Sequence, residues 1–387
     1  MELSVVGLFS SDRSPGQPEE FVKGNVGGAG ERPSDARALS THSSHGAALR
    51  IERCQRAPAD WESWLADASG ASFAARAGFI ETVERVWPQA RVLYFTVRRG
   101  QRLAGGVCVA ASVRLGLTLA RSLPFGTLGG PLVSADDPDP ASVRAALARV
   151  FEEWLSAERV AGGEVVHALL SPQQACEAGP DPAWRALASC ITTGQTHVID
   201  LAPGAAAIIA GLHRESRRVL RQADRWGVTI EEDAEALPTV HRLYLDQAKS
   251  WPDHRQYPLA FLEALVRHPS RFARLLVARR DRRVEAGILV LSGGGESFVW
   301  WSGAARSSRQ CLSYPSLIRR AIECACSAGE ARLNLGASGG LERLEHFKRS
   351  MGAVPRPFWT YHLRPRRDDL VCRVYPWLRA ARRSLWR

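Results

Sequence analysis

At 387 residues, with 45% hydrophobic content and eight scattered cysteines that form no Cys-x-x-Cys pair, the chain has room for two domains and offers neither a zinc site nor a disulfide framework. No run of 18 apolar residues occurs, and the first 20 residues lack the zones of a secretory signal, so a cytoplasmic protein is expected. The net charge of +11 favours polyanionic partners; only three of the 51 basic residues are lysines, Lys23, Lys249 and Lys348.

Residues 1–48 are rich in Gly, Ser, Pro and Ala without apolar periodicity, and read as a disordered tail or an overextended start. Structure is expected from near Ile51, with Trp61, Trp64 and Leu65 on one helical face. A helix pattern, GFIETV (78–83), leads into strand, charged turn and strand over VRRGQRLAGGVCV (97–109). A third strand, LTLARSL (117–123), follows. A helix at 141–157 and a strand near 164–170 complete this half. The same order then recurs: AFLEAL (260–265), the hairpin ARRDRRVEAGILV (278–290), and the strand SFVWWSGAA (297–305). The two hairpins align at an offset of 181, which is the signature of an internal repeat. Gly293 to Gly295 sit between strands and read as a flexible hairpin. The second half continues with a helix over CLSYPSLIRRAIECACSAG, a short strand ARLNLGAS, and a helix LERLEHFKRSMG. Antiparallel strands followed by helix, strand, helix and strand give the order of an acetyltransferase (GNAT) fold. The expectation is an α/β (α+β) chain of two tandem GNAT-like domains with mixed, mostly antiparallel sheets flanked by helices. The boundaries are a tail at 1–48, a first domain at 49–195, a second, catalytic domain at 196–363, and a basic tail at 364–387. The cysteines read as small buried apolar residues.

The stretch GLHRESRRVLRQADRWG (211–227) places Arg214, Arg217, Arg218, Arg221 and Arg225 within about 100° of arc on a helix, opposite Leu212, Val219, Ala223 and Trp226. Like charges on one face repel, whereas phosphate oxygens would be held by them; a plainly solvated face relieved by Glu215 and Asp224 is the alternative. The pattern RRVLRQADRWGV resembles the arginine-rich helix of the FemAB family of peptidoglycan bridge aminoacyltransferases. SLPFGTLGGPLV (122–133), LNLGASGG (333–340) and EHFKRSMG (345–352) are similar to further segments of that family, in the same order.

The resemblance implies transfer of an aminoacyl or acyl group to an amine of a cell-envelope precursor, a peptidoglycan stem peptide first, giving an amide. It implies that Arg217 and Arg221 hold the phosphates of a nucleotide- or lipid-linked precursor. It also implies that Lys348 stabilises the oxyanion of the attacked carbonyl, with Phe347 shaping the pocket. A surface lysine beside a buried phenylalanine is the alternative for that pair. Tyr314 borders the junction AARSSRQCLSYPSL (304–317), which contains no glycine where ordinary acetyltransferases cradle a coenzyme A pyrophosphate on bare backbone. This argues against coenzyme A, and the resemblance implies aminoacyl-tRNA as the favoured donor with acyl-CoA the other; no bound cofactor and no metal are expected. The basic surface would steer tRNA or the inner-membrane face. No general base is assigned; Asp246, His254 and His346 are candidates. An acyl-CoA-dependent N-acyltransferase of envelope polysaccharide, and a non-catalytic polyanion binder, are the competing readings.

Overall fold

The computed structural model describes residues 39–41, 48–114, 117–158, 160–168, 179–251, 256–309 and 312–363. Most of the expected tail at 1–48, all of that at 364–387, and His254 lie outside the described residues. In the first half the strands are β1 (Leu39–Thr41), β2 (Leu49–Cys54), β3 (Ala68–Ser69), β4 (Arg91–Arg99), β5 (Arg102–Arg114), β6 (Leu117–Ser122), β7 (Leu132–Ser134), β8 (Gly162–Ala168) and β9 (Ala188–Asp200). Its helices are α1 (Trp61–Leu65), α2 (Ala77–Val86), α3 (Pro140–Ala157) and α4 (Pro182–Leu187). The second half contributes α5 (Ala205–Gly211), α6 (Arg214–Arg225), β10 (Thr229–Glu232), α7 (Leu237–Ala248) and α8 (Leu259–Val266). It continues with β11 (Ala273–Arg280), β12 (Arg283–Gly293), β13 (Glu296–Ala304), α9 (Ser313–Ser327), β14 (Arg332–Ala337), α10 (Glu342–Ser350) and β15 (Val354–Leu363).

The strands join edge to edge in the order β1-β2-β4-β5-β6-β8-β15-β9-β14-β13-β12-β11-β10, with β3 and β7 beside β5. The sheet is mostly antiparallel. Two parallel pairs interrupt it, β6 with β8 and β13 with β14, and each is bridged by a helical crossover, α3 or α9. The boundary expected between residues 195 and 196 falls inside β9, which pairs with both β14 and β15. The last described strand, β15, returns to lie against β8 of the first half.

The repeat is visible in detail. Each hairpin carries a bulge at the aligned position, between Val97 and Arg98 and between Ala278 and Arg279. The bulged arginine clamps the neighbouring segment in both cases: Arg98 pairs with Glu52 and Asp60, and Arg279 with Glu231 and Asp233. Gly106 and Gly287, also aligned, let a helix press onto the strand, because a Cβ would lie 2.5 Å from Trp61 in one half and 2.7 Å from Val240 in the other.

The halves share one core. Helices α2 and α8, the aligned pair, pack on each other, and Trp87 meets Phe261 at 4.7 Å between ring centroids. Phe73, Phe79 and Phe125 from the first half interlock with Tyr257, Phe298 and Trp300 from the second, mostly edge to face. Aromatic pairs of this kind contribute about 0.5–1.5 kcal/mol each beyond the area they bury. Glycines 293 to 295, expected to be flexible, instead form a tight turn with Gly294 and Gly295 at φ of 63° and 70°. The turn is packed against Ala71, and Arg332 ties it down by donating to the carbonyls of Ala71 and Gly294. The cysteine reading also needs correction: of the described cysteines only Cys108 is buried, while Cys54, Cys324 and Cys326 are half-buried and Cys190 is exposed.

Candidate active site

In both halves the parallel pair starts together and then splays. β6 and β8 pair only over Leu119–Arg121 and Gly162–Glu164, and β13 and β14 only over Glu296–Phe298 and Arg332–Asn334. The first splay is filled by its own chain. Ser122 Oγ accepts from the Val166 N–H at 2.8 Å, and the following loop lies so close that a Cβ on Gly130 would sit 2.2 Å from the Val166 carbonyl oxygen. This is the role of SLPFGTLGGPLV: it closes the first half's strands.

In the second half β14 turns away from β13 at Gly336, whose φ is 74° and whose N–H donates to Asn334 Oδ1 at 2.8 Å. Asn334 is fully buried with Glu296, and the chain of contacts Thr196–Asn334–Glu296–Arg332 fixes the base of the splay. Burial raises the Glu296 carboxyl, and the Arg332 guanidinium opposes that shift.

Lys348 lies just beyond this base. The alternative of a surface lysine beside a buried phenylalanine is inverted: Lys348 is 1% exposed, and Phe347 is only half-buried. Nζ donates to the carbonyls of Gly336 and Ala337 at 2.9 and 2.7 Å, tying α10 to the end of β14. Two of the three ammonium N–H groups are thereby spent. Desolvation lowers the Lys348 pKa to about 7, with Glu345 acting weakly in the opposite direction. Phe347 packs against Tyr314 at 5.5 Å between ring centroids, joining α9 to α10, while the neighbouring Lys348 side chain turns to the end of β14. The Tyr314 hydroxyl is buried against Ser302 of β13, and burial pushes its pKa up.

Arg217 and Arg221 stand elsewhere on this half, exposed on the outer side of α6. The inner side of α6 differs from the expected one. Ser216, Leu220 and Ala223 are buried there, Ser216 Oγ donates to the Ser350 carbonyl, and Trp226 is 41% exposed. Of the five arginines Arg218 pairs with Glu215, and Asp224 is held by Arg319 of α9.

One residue beside the site carries no recognisable signal in the chain. His197 of β9 is 1% exposed, with Nδ1 3.4 Å from Ser338 Oγ and Nε2 3.9 Å from Glu345 Oε1. Burial, followed by the neighbouring Lys348 charge, lowers its pKa, so the ring is neutral at neutral pH. It reaches Lys348 only because β9 and β14 pair across more than 130 residues of chain. Asp246 and His346 are both exposed, and Asp246 is ion-paired with Lys249 at 2.8 Å.

Residues 210–349 match the family model described as an acetyltransferase (GNAT) domain. Among solved structures, that of FemX superposes with a TM-score of 0.64 at 13% identity, covering 80% of this chain and 96% of that one. A conserved protein of unknown function from Bacteroides thetaiotaomicron VPI-5482 superposes with a TM-score of 0.53 at 10% identity, covering 81% and 99%. No curated protein sequence matches the chain. At such identities the structural likenesses speak for the fold, and the match over 210–349 falls on the half that holds Lys348. The chain therefore has a FemAB-like tandem GNAT fold, and its second half carries the acetyltransferase (GNAT) domain match of an acyltransferase.

Proposed function

We propose that the protein transfers an aminoacyl group from aminoacyl-tRNA to an amine of a cell-envelope precursor, a peptidoglycan stem peptide being the favoured acceptor. The observation that carries this reading is Lys348, buried where β13 and β14 part, with two N–H groups bound and a third left to donate. The acceptor amine attacks the ester carbonyl, and the tetrahedral oxyanion takes the third Lys348 N–H. The carbon–oxygen ester bond then breaks, and the tRNA hydroxyl leaves with the proton lost by the amine. A preorganised donor of this kind contributes about 10²–10³ in rate. Tyr314 and Phe347 wall the acyl position, and Arg217 and Arg221 take the acceptor phosphates.

The start of α9 supports this donor over acyl-CoA. Pro315 removes one N–H from the first turn, and no glycine precedes it to bring bare backbone against a pyrophosphate. Among the described residues no helix is long and apolar enough to cross a membrane; the cytoplasmic side belongs to this reading because charged tRNA is found there.

The test is incubation of purified protein with charged tRNA and with UDP- or lipid-linked muropeptide, reading amide formation by mass spectrometry. Product is expected, and Arg217→Gln with Arg221→Gln should raise the acceptor KM roughly tenfold with kcat little changed, two charge-assisted phosphate contacts being lost. Amide formation from acyl-CoA and a polysaccharide precursor, with none from charged tRNA, would overturn the proposal.

A further inference from the structure

Helix α5 is unusual for a surface helix. Its seven residues, AAAIIAG, are uncharged, and so is the whole segment Leu201–Leu212 around it, yet no residue of α5 is buried. Ile208 and Ile209 lean partly on the core, while Ala202, Pro203, Ala206, Ala207, Ala210 and Gly211 are exposed. A two-residue link leads directly into α6, and both helices pack on α9, so their free sides face away from the same support. On α6 the free side carries Arg214, Arg217, Arg221 and Arg225, none of which has an acidic partner among the described residues, and Trp226 stands exposed at its end.

From this we infer that α5 and α6 form a docking face for an anionic lipid surface. The arginines meet lipid phosphates, while the uncharged α5 face and the Trp226 ring settle at the headgroup boundary, where amphipathic aromatic rings are favoured. RNA would complement the arginine row equally but gives no use for an exposed uncharged helix beside it. The basic segment 364–387, with eight Arg against two Asp, has the wrong charge to cover the row. Joined to the proposed transfer reaction, on which this step rests, the face selects a lipid-linked acceptor over a nucleotide-linked one, because docking holds Arg217 and Arg221 at headgroup level.

The experiment is co-sedimentation of the full chain with vesicles of phosphatidylcholine alone and of phosphatidylcholine mixed with phosphatidylglycerol, without donor or acceptor. Its failure is thus distinguishable from failure of the transfer reaction. Binding is expected only to the anionic vesicles, falling as salt is raised. Arg214→Gln with Arg225→Gln should weaken it by about fivefold per charge, on the order of 25-fold together. Trp226→Ala and Ala206→Glu, both at exposed positions, should also release the protein, while leaving its binding to a purified tRNA unchanged. Equal binding to both vesicle types would overturn the inference. So would loss of tRNA and vesicle binding in parallel on removing the arginines, with Trp226→Ala and Ala206→Glu without effect, which would make the face an RNA surface. With the reaction in hand, lipid-linked acceptor in anionic vesicles should be used more efficiently than its nucleotide-linked counterpart, and Trp226→Ala should abolish that preference alone; no preference in the unmodified protein would remove the acceptor assignment.

Discussion

Replacing Lys348 by Met keeps an unbranched stem in the buried slot and removes only the nitrogen. Two opposing effects follow. The carbonyls of Gly336 and Ala337 lose their donor, which costs about 1–3 kcal/mol each. Against this, the unmodified protein must bury a cation whose pKa falls from 10.5 to about 7, a gap worth roughly 4–5 kcal/mol. The folded state binds the proton more weakly than the unfolded chain. That cost is therefore fully present below about pH 7 and fades as pH rises toward 10.5. At neutral pH the gain and loss nearly cancel, so Lys348→Met should unfold in urea at close to the midpoint of the unmodified protein. Near pH 10 the unmodified protein has shed the cost, and the variant should be the weaker by a few kcal/mol. Catalysis behaves differently, because the third N–H is the one that titrates. The variant should lose about 10²–10³ in rate at neutral pH, and in the unmodified protein the contribution of Lys348 should decline as pH rises through about 7. A stability difference that stays constant between pH 7 and 10 would refute the reasoning, since Lys348 would then not be a desolvated cation. Unchanged turnover in a folded Lys348→Met would remove it from the chemistry.

Two further outcomes follow from the geometry. Tyr314→Phe removes a buried hydroxyl whose polar neighbour is Ser302, held in no well-formed hydrogen bond, so thermal unfolding should shift by about 1 kcal/mol or less, while acyl transfer slows if the ring walls the acyl position. Gly294→Ala forces a Cβ to within 2.5 Å of Ala71 at a φ of 63°, so urea titration should show a loss of about 1–3 kcal/mol and a weakened seam between the halves.

Much of the fold was legible in the chain because its information is local. The 181-residue repeat, the charged turns and the apolar periodicities of α2, α8 and α9 each depend on neighbours a few positions away, and they suffice for the order of a tandem GNAT fold. Lys348 and Phe347 were legible for the same reason, as part of a contiguous segment. What each side chain meets was not. Burial of Lys348 depends on the turn at Gly336, twelve residues earlier, and on α10 folding back over it. His197 comes beside them only through the pairing of β9 with β14, and the sharing of β9 and β15 between the halves is a matter of strand partners that no local pattern encodes. The sequence by itself determined the elements, their repetition and the arginine row. Tertiary structure alone decided that the first splay is filled by its own chain and that the lysine at the end of the second is buried, because those outcomes are set by contacts between segments whose separation along the chain carries no periodic trace.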